Sequence, residues 1–254
     1  MVEFLIRKGA DVHSATSYGD TVLHLAVAQY VESTCLKLVK SFIRAGCNPT
    51  TRNSAGKTVF EVAIERHYTS VVEHLLSCKV PFPPDILPIA LQNRSTPQMV
   101  ESLIRNHADV NFTTADGDTV LHLAVAKYVE LTCLDLAKIL INAGSNPILC
   151  DSHGETVLEA AMKRGYALVT QHLLSCNLPL PPIFDVLSKA LQRRCIPQII
   201  QLLVYHSAND LAVMTESHWD TLLQFTHDSY IGVDRQWVVE FLEARRKAKG
   251  SNPR

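Results

Sequence analysis

Two histidines hold the same place in an identical ten-residue motif, and their side chains are the first to consider for chemistry. GDTVLHLAVA occurs at residues 19–28 and again at residues 117–126, so His24 and His122 each lie in an otherwise apolar stretch. Such a histidine could act as a general base or as a metal ligand. The remaining histidines are dispersed along the chain and do not cluster at ligand spacing, so the sequence predicts no metal site.

The seven cysteines give no better support for redox or metal chemistry. Four of them form two pairs that recur 98 residues apart, Cys35 with Cys133 and Cys78 with Cys176, and no CxxC pair occurs. The chain also lacks the glycine-rich loops that bind phosphates and dinucleotides, and the G-x-S-x-G motif of acyl hydrolases. We therefore predict that the protein is not an enzyme and that it needs no cofactor.

The composition is that of a folded chain, with 47% hydrophobic residues, 19% charged residues and a net charge of -1. A charge so near neutral disfavours nucleic acid and acidic membranes as bulk partners. No apolar run of 18 residues and no basic-then-apolar leader occurs, which predicts an intracellular, cytoplasmic protein. Basic residues within 245–254 suggest a nuclear location as the alternative, although a solvated last helical turn explains them more simply.

The elements that would position the two histidines are also repeated. Gly46 matches Gly144 and the LLSC at Leu75 matches the LLSC at Leu173, again 98 residues apart. Within each copy a threonine, such as Thr21, precedes a short apolar helix, and a second amphipathic helix ends at a glycine. A fixed period means that each helical hairpin buries its apolar face by stacking on its neighbours.

The third hairpin of each copy begins in a proline cluster instead of the threonine motif. Proline fixes extended backbone and removes a hydrogen-bond donor, so a β-hairpin is not expected there. The predicted helix pairs are 85–94 with 96–106, and 184–194 with 197–205.

The last segment is predicted to be a terminal hairpin. We align Asp220 and Thr221 with the threonine motif, which puts Gln224 at the position of the histidine. Terminal repeats usually diverge because one face meets water. The segment 219–246 is accordingly predicted to be the C-terminal cap.

The motifs together resemble the ankyrin repeat. The resemblance is carried by GDTVLHLAVA in both copies, GADV at Gly9, HADVNF at His107, AGCNP at Ala45 and AGSNP at Ala143. The larger block of repeats is similar to the ankyrin arrays of large fungal proteins. It implies an all-α solenoid of stacked helical hairpins, with short β-hairpin fingers that are missing in every third repeat. We expect a single ankyrin-repeat domain over 1–254, with a partial repeat at 1–13, repeats at 14–50, 51–80, 81–111, 112–148, 149–178 and 179–210, and the cap at 211–254.

The resemblance also implies what the repeats do. The two histidines would be structural, and a protein partner would bind the concave face, on finger tips and the exposed side of the first helices. For any single position a merely solvated side chain is an equally good interpretation. The positions implied are Ser17, Tyr18, Asp20, Gln29, Ser54, Lys57, Glu65, Arg66, Asp116, Asp118, Lys127, Ser152, His153, Glu155, Lys163 and Arg164.

A second candidate surface is a lengthened ridge between the two helices of the first hairpin in each copy. It comprises AQYVESTCL at residues 28–36 and AKYVELTCL at residues 126–134. Four residues are added there relative to the following hairpin, which is about one helical turn.

The identity of the protein partner does not follow from the sequence. Residues 1–9 look like a second helix without its first, which allows two alternatives. In the first alternative, the repeats are part of a larger signalling protein, such as the sensor repeats of an NTPase-type receptor, with further repeats upstream. In the second, the N-terminal ends of two chains associate and cover the apolar surface.

Overall fold

The computed structural model describes residues 2–176, 182–207, 211 and 214–250, and that part of the chain is helical. The chain forms two compact units. Unit 1 comprises residues 1–115 and 142–145, and unit 2 comprises residues 116–141 and 146–254. The assignment of residues 1–254 to one domain, with the repeat boundaries given above, stays a prediction.

Unit 1 is built from helical hairpins in two layers. The inner helices pack in the order α2, α4, α6, and the outer helices pack in the order α1, α3, α5, α7. Helix α1 packs on α3, which is the position that the second helix of a hairpin would take; that residues 1–13 form a partial repeat stays a prediction. The bounds are α1 Val2–Arg7, α2 Val22–Gln29, α3 Glu32–Arg44, α4 Val59–Glu65, α5 Thr69–Ser77, α6 Ile86–Gln92 and α7 Pro97–Arg105.

Unit 2 has the same plan. Its inner helices pack in the order α8, α10, α12, α14, and α11, α13 and α15 pack in the outer layer. The carboxylate of Glu130, at the start of α9, accepts a hydrogen bond of 2.6 Å from the N–H of Leu168, at the start of α11. The bounds are α8 Val120–Lys127, α9 Glu130–Asn142, α10 Val157–Lys163, α11 Ala167–Ser175, α12 Ile183–Gln192, α13 Pro197–His206, α14 Glu216–Ser229 and α15 Gly232–Gly250.

Threonine caps start the inner helices as the sequence predicts. The hydroxyls of Thr58, Thr119 and Thr156 accept hydrogen bonds of 3.3–3.4 Å from the backbone N–H three residues later. Each cap satisfies one of the donors that a helix start leaves without an intrahelical partner, which is worth about 1 kcal/mol. The caps therefore fix where α4, α8 and α10 begin.

The predicted start of the last inner helix is wrong. Helix α14 begins at Glu216, and its cap is Thr215, whose hydroxyl accepts from the N–H of His218 at 3.3 Å. The threonine-and-histidine motif is thus Thr215 with His218. Thr221 lies inside the helix, where its hydroxyl donates to the carbonyl of Ser217 at 2.8 Å, a bond that an interior threonine can make without capping anything.

Candidate protein-interaction surface

His24 joins two neighbouring hairpins of unit 1. Its ring lies 2.9 Å from the hydroxyl of Thr21 through Nδ1 and 3.0 Å from the carbonyl oxygen of Lys57 through Nε2. A carbonyl can only accept, so Nε2 carries the hydrogen and Nδ1 accepts from the threonine. The imidazole is buried and both of its nitrogens are engaged.

His122 makes the same bridge in unit 2. Its Nδ1 lies 2.9 Å from the hydroxyl of Thr119, and its Nε2 lies 2.9 Å from the carbonyl oxygen of Glu155. The structural interpretation of both histidines is confirmed. Neither ring offers a free nitrogen for a metal or for proton transfer.

The bridges hold short turns that project before the inner helices of unit 1. One turn is closed by the hydrogen bond from Thr16 N–H to Asp20 C=O at 3.0 Å, and the next by the bond from Asn53 N–H to Lys57 C=O at 3.0 Å. The Asn53 amide donates to the Asp20 carboxylate at 2.8 Å, which ties the two turns together. These turns are the predicted fingers.

In unit 2 the approach of neighbouring fingers depends on Gly117. Its φ is +81°, and a Cβ there would lie 2.9 Å from the backbone nitrogen of Ser152. Only glycine combines that backbone conformation with so close a neighbour. The finger that contains Ser152 is closed by the bond from Asp151 N–H to Glu155 C=O at 2.9 Å.

No β-bridge forms in the first proline-led segment, residues 80–85, as the sequence predicts. In place of a finger, Phe82 packs against Phe60 with ring centroids 5.5 Å apart. Most of the second proline cluster, residues 177–181, lies outside the described residues.

A salt bridge puts each finger base and the following inner helix on one surface. Lys57 Nζ lies 2.6 Å from a Glu65 carboxylate oxygen, and Lys163 Nζ lies 3.5 Å from a Glu155 carboxylate oxygen. Residues 57 and 155 are equivalent in the two copies, as are residues 65 and 163. The two units therefore present the same pair of positions with the charges exchanged.

The surface of unit 2 extends to α12 through two further ion pairs. Arg193 lies 2.9 Å from Glu155, and Lys189 lies 2.5 Å from Glu159. Burial alone would raise the pKa of Glu159, but the hydrogen bonds from Lys189 and Thr156, together with nearby Arg193, lower that pKa below its ordinary value. Lys189 and Arg193 are not among the positions predicted from the sequence.

Two arginines among the sixteen predicted positions are held by contacts within the fold. Arg66 donates to the carbonyl of Ala28 at 2.9 Å and lies over the ring of Tyr68. Arg164 donates to the hydroxyl of Tyr166 at 3.0 Å. Both guanidinium groups support the junction between an inner and an outer helix, so they are poor choices for partner contact.

Of the other fourteen predicted positions, ten lie in the finger segments and four lie on inner helices. Tyr18, with 74% of its surface accessible, is the most prominent apolar side chain among them. The exposed ones are Ser17, Tyr18, Gln29 and Ser54 in unit 1 and Asp116, Lys127, Ser152, His153 and Lys163 in unit 2, whereas Asp20, Lys57, Glu65, Asp118 and Glu155 are half-buried.

Metal binding, thiol reactivity and membrane insertion can each be assessed among the residues that the structure describes. Within them no three histidine, cysteine or acidic side chains are placed to hold a metal ion. Burial raises the pKa of Cys133 to about 12, so this thiol stays protonated. None of the described helices has the length and apolar character needed to cross a membrane.

The basic C-terminal residues are tied to the fold where they are described. Arg246 forms ion pairs with Glu216 at 2.5 Å and Asp220 at 2.8 Å, and Arg245 lies over the ring of Tyr205 at 4.5 Å from its centroid. These contacts favour a stabilised helix end over a free basic patch. Arg254 lies outside the described residues.

Hairpins with capped inner helices, bridging histidines and paired fingers define an ankyrin-repeat protein. The sequence matches the ankyrin repeat family in three copies, over residues 1–83 and 87–180. The chain belongs to the ankyrin repeat family.

Known proteins agree with this assignment. Neurogenic locus notch homolog protein 1 from Mus musculus is 28% identical over 165 residues, which are 62% of this chain and 6% of that protein. The nuclear factor NF-kappa-B p105 subunit from Gallus gallus is 27% identical over 154 residues, which are 58% of this chain and 15% of that protein. The chain thus spans a small part of these relatives.

Solved structures agree on the fold. The ankyrin repeat domain of Bcl-3 matches with a TM-score of 0.61 at 20% identity, over 80% of this chain and 90% of that one. An ankyrin repeat domain from Acinetobacter baumannii AYE matches with a TM-score of 0.61 at 21% identity, over 68% of this chain and 90% of that one.

Proposed function

We propose that the protein is a non-enzymatic interaction scaffold that binds a protein partner through the concave face of its ankyrin repeats, on the fingers and the exposed sides of the inner helices. One observation carries the proposal. The scaffold around Lys57 and Glu65 is the same as that around Glu155 and Lys163, yet the surface charges are exchanged. Residues that choose a partner are expected to differ between copies whose frame is kept.

The fingers are suited to this role because their geometry is fixed before binding. The bond from Ser54 N–H to Tyr18 C=O, at 2.9 Å, joins two finger tips beside the exposed Tyr18 ring. A rigid aromatic side chain loses little conformational entropy on binding, which is why tyrosine is common in protein interfaces.

The test is capture of partners by the tagged full chain, followed by affinity measurement with each purified partner. The variant Tyr18→Ala/Lys57→Glu/Glu65→Lys alters the surface but keeps a salt bridge of the kind found in unit 2. Lys37→Asp is the matched control, because Lys37 is exposed on outer helix α3 and its equivalent in the second copy is Asp135. We expect the triple variant to bind at least tenfold more weakly and the control to bind unchanged. Equal binding by all three chains would contradict the proposal.

A second candidate is that these repeats serve a longer signalling protein, for example as the sensor repeats of an NTPase-type receptor. Supporting it, the matched repeats make up 6% of the Notch relatives and 15% of the NF-kappa-B p105 relative. The full-length transcript decides this candidate: an open reading frame that joins the repeats to an NTPase domain supports it, and one that holds the repeats alone excludes it.

A further inference from the structure

Unit 2 carries a row of exposed apolar side chains on the edge where inner helices turn into outer helices. Val129 and Leu131 flank the start of α9, Leu168 lies at the start of α11, and Ile196 immediately precedes α13. Their exposed fractions are 71%, 67%, 42% and 40%. We call these four residues the apolar stripe.

Contacts between successive junctions bring the residues of the stripe next to one another. The hydroxyl of Tyr166 donates to the carbonyl of Tyr128 at 2.7 Å, next to Val129. The N–H of Leu168 donates to Glu130, which lies between Val129 and Leu131. A Cβ on Gly165 would lie 3.8 Å from the Ile196 side chain, which brings the third junction against the second.

Unit 1 has the same edge geometry without the stripe. Tyr68 donates to the carbonyl of Tyr30 at 2.7 Å, and the N–H of Ser70 donates to Glu32 at 2.7 Å, as in unit 2. The sequence equivalents of Leu131, Leu168 and Ile196, however, are Ser33, Ser70 and Thr96. The fold therefore does not require apolar side chains at these three positions.

At Ile196 the apolar residue replaces a helix cap and weakens the start of α13. Thr96 caps α7, accepting from the N–H of Met99 at 3.3 Å, whereas its equivalent Ile196 provides no cap for α13. Isoleucine is among the poorest residues at a helix start. A local cost of this kind with no structural gain is typical of a functional position.

Basic residues lie at the first and third of the three junctions of the stripe. Lys127 ends α8 and Arg194 follows α12, and both are exposed. At the second junction the Arg164 guanidinium is held by Tyr166. The one acidic group among them, Glu130, is held by the N–H of Leu168. An occupant of this edge must therefore combine apolar and acidic side chains.

The spacing of the junctions favours an α-helix over a β-strand as the occupant. Neighbouring helices pack about 10 Å apart, so the junctions recur at about that interval. Seven residues of an α-helix rise about 10.5 Å and return to the same face. A β-strand repeats its face about every 6.8 Å, which does not match.

We propose that the apolar stripe binds an acidic amphipathic helix of a protein partner, lying along the edge with apolar residues seven apart. This docking surface is separate from the fingers and does not rest on the function proposed above. The net charge of -1 gives the chain no general attraction to an anionic membrane, which favours a protein segment over a lipid surface.

The probe is a labelled synthetic helical peptide of three heptads, with two leucines per heptad on one face and glutamates beside them, used where sedimentation shows it to be monomeric. A second peptide carries lysines in place of the glutamates. Each is titrated into the full chain and into Leu131→Ser/Leu168→Ser/Ile196→Thr, whose three new residues are those of the first copy. The melting temperature of this variant should be no lower than that of the wild type.

We expect the acidic peptide to bind the wild type at least tenfold more tightly than the variant, and at least tenfold more tightly than the lysine peptide binds. No binding of the acidic peptide, equal binding to the variant or equal binding of the lysine peptide would overturn the proposal. Preferential binding of phosphatidylserine vesicles would assign the stripe to a membrane, and dimerisation lost in the variant would assign it to a second copy. Either result would also overturn it.

Discussion

His24 donates from Nε2 to the carbonyl oxygen of Lys57, 33 residues further along the chain, at 3.0 Å. This bond makes the start of one hairpin depend on the finger of the next. The fingers are therefore held by buried groups, while their outward side chains are left to vary.

Replacing either bridging histidine with alanine should destabilise the protein without changing its surface. His24→Ala and His122→Ala each leave buried partners without their hydrogen bonds, at a cost of about 2–3 kcal/mol. Urea unfolding followed by circular dichroism measures the shift. His227→Ala is the control, since His227 is exposed, and it should change stability by less than about 0.5 kcal/mol. Equal effects of buried and exposed replacements would be inconsistent with the bridge.

Gly117 should tolerate alanine less well than Gly154. Both have a positive φ, of +81° and +73°, which costs an alanine about 1 kcal/mol. Only Gly117 has a backbone atom within 3 Å of the added Cβ, whereas Gly154 has nothing within 4 Å. We expect Gly117→Ala to be destabilised by at least about 1 kcal/mol more than Gly154→Ala in thermal unfolding. Equal melting temperatures would refute the close approach of the fingers.

The start of α14 can be checked with two threonines. Thr215→Ala removes the cap and should cost about 1 kcal/mol. Thr221→Ala removes only an interior hydroxyl and should cost less than about 0.5 kcal/mol. Stability is measured by chemical denaturation of each variant. If Thr221→Ala lost more stability than Thr215→Ala, Thr221 would be the cap, and the start of α14 at Glu216 would be contradicted.

Acidic pH should lower the free energy of unfolding of unit 2, partly through protonation of Glu159. Its pKa is lowered in the folded state, so its carboxylate adds stability above the ordinary glutamate pKa, and this contribution is lost as pH falls through the folded pKa. In Glu159→Gln the urea midpoint should therefore fall less between neutral and acidic pH than in the wild type. Lys189→Met, which removes the cation, should also reduce the dependence. A Glu159→Gln chain with the pH dependence of the wild type would exclude this role.

Much of the frame could be predicted from the sequence because it is local and repeated. The threonine before each apolar helix and the histidine three residues later identify the inner helices wherever the motif is intact. The last hairpin is the exception, because Asp220 and Thr221 imitate the motif inside a helix. The true pair, Thr215 and His218, follows a segment whose sequence lacks the glycine that precedes Thr21 and Thr119 by two residues.

The candidate surface was predicted less completely because its contacts join distant residues. Arg66 has the position of a binding residue but reaches back to the carbonyl of Ala28. Lys189 and Arg193 correspond to Ile89 and Asn93 in the first copy, so the repeat pattern does not indicate charged residues at these two positions. Their pairing with Glu159 and Glu155 depends on the packing of α12 against α10.

The central claim is that the fingers and inner helices select a protein partner. Its most direct test is the dissociation constant of a purified partner for the wild type, for Lys57→Glu/Glu65→Lys, and for Glu155→Lys/Lys163→Glu, measured by isothermal titration calorimetry. The Lys57→Glu/Glu65→Lys exchange preserves an ion pair and should leave stability within about 1 kcal/mol. The Glu155→Lys/Lys163→Glu exchange also breaks the pair between Glu155 and Arg193, so its fold is checked by circular dichroism before binding is measured. We predict at least a tenfold rise in the dissociation constant for one or both exchanges. Unchanged constants for both, in stably folded chains, would contradict the claim.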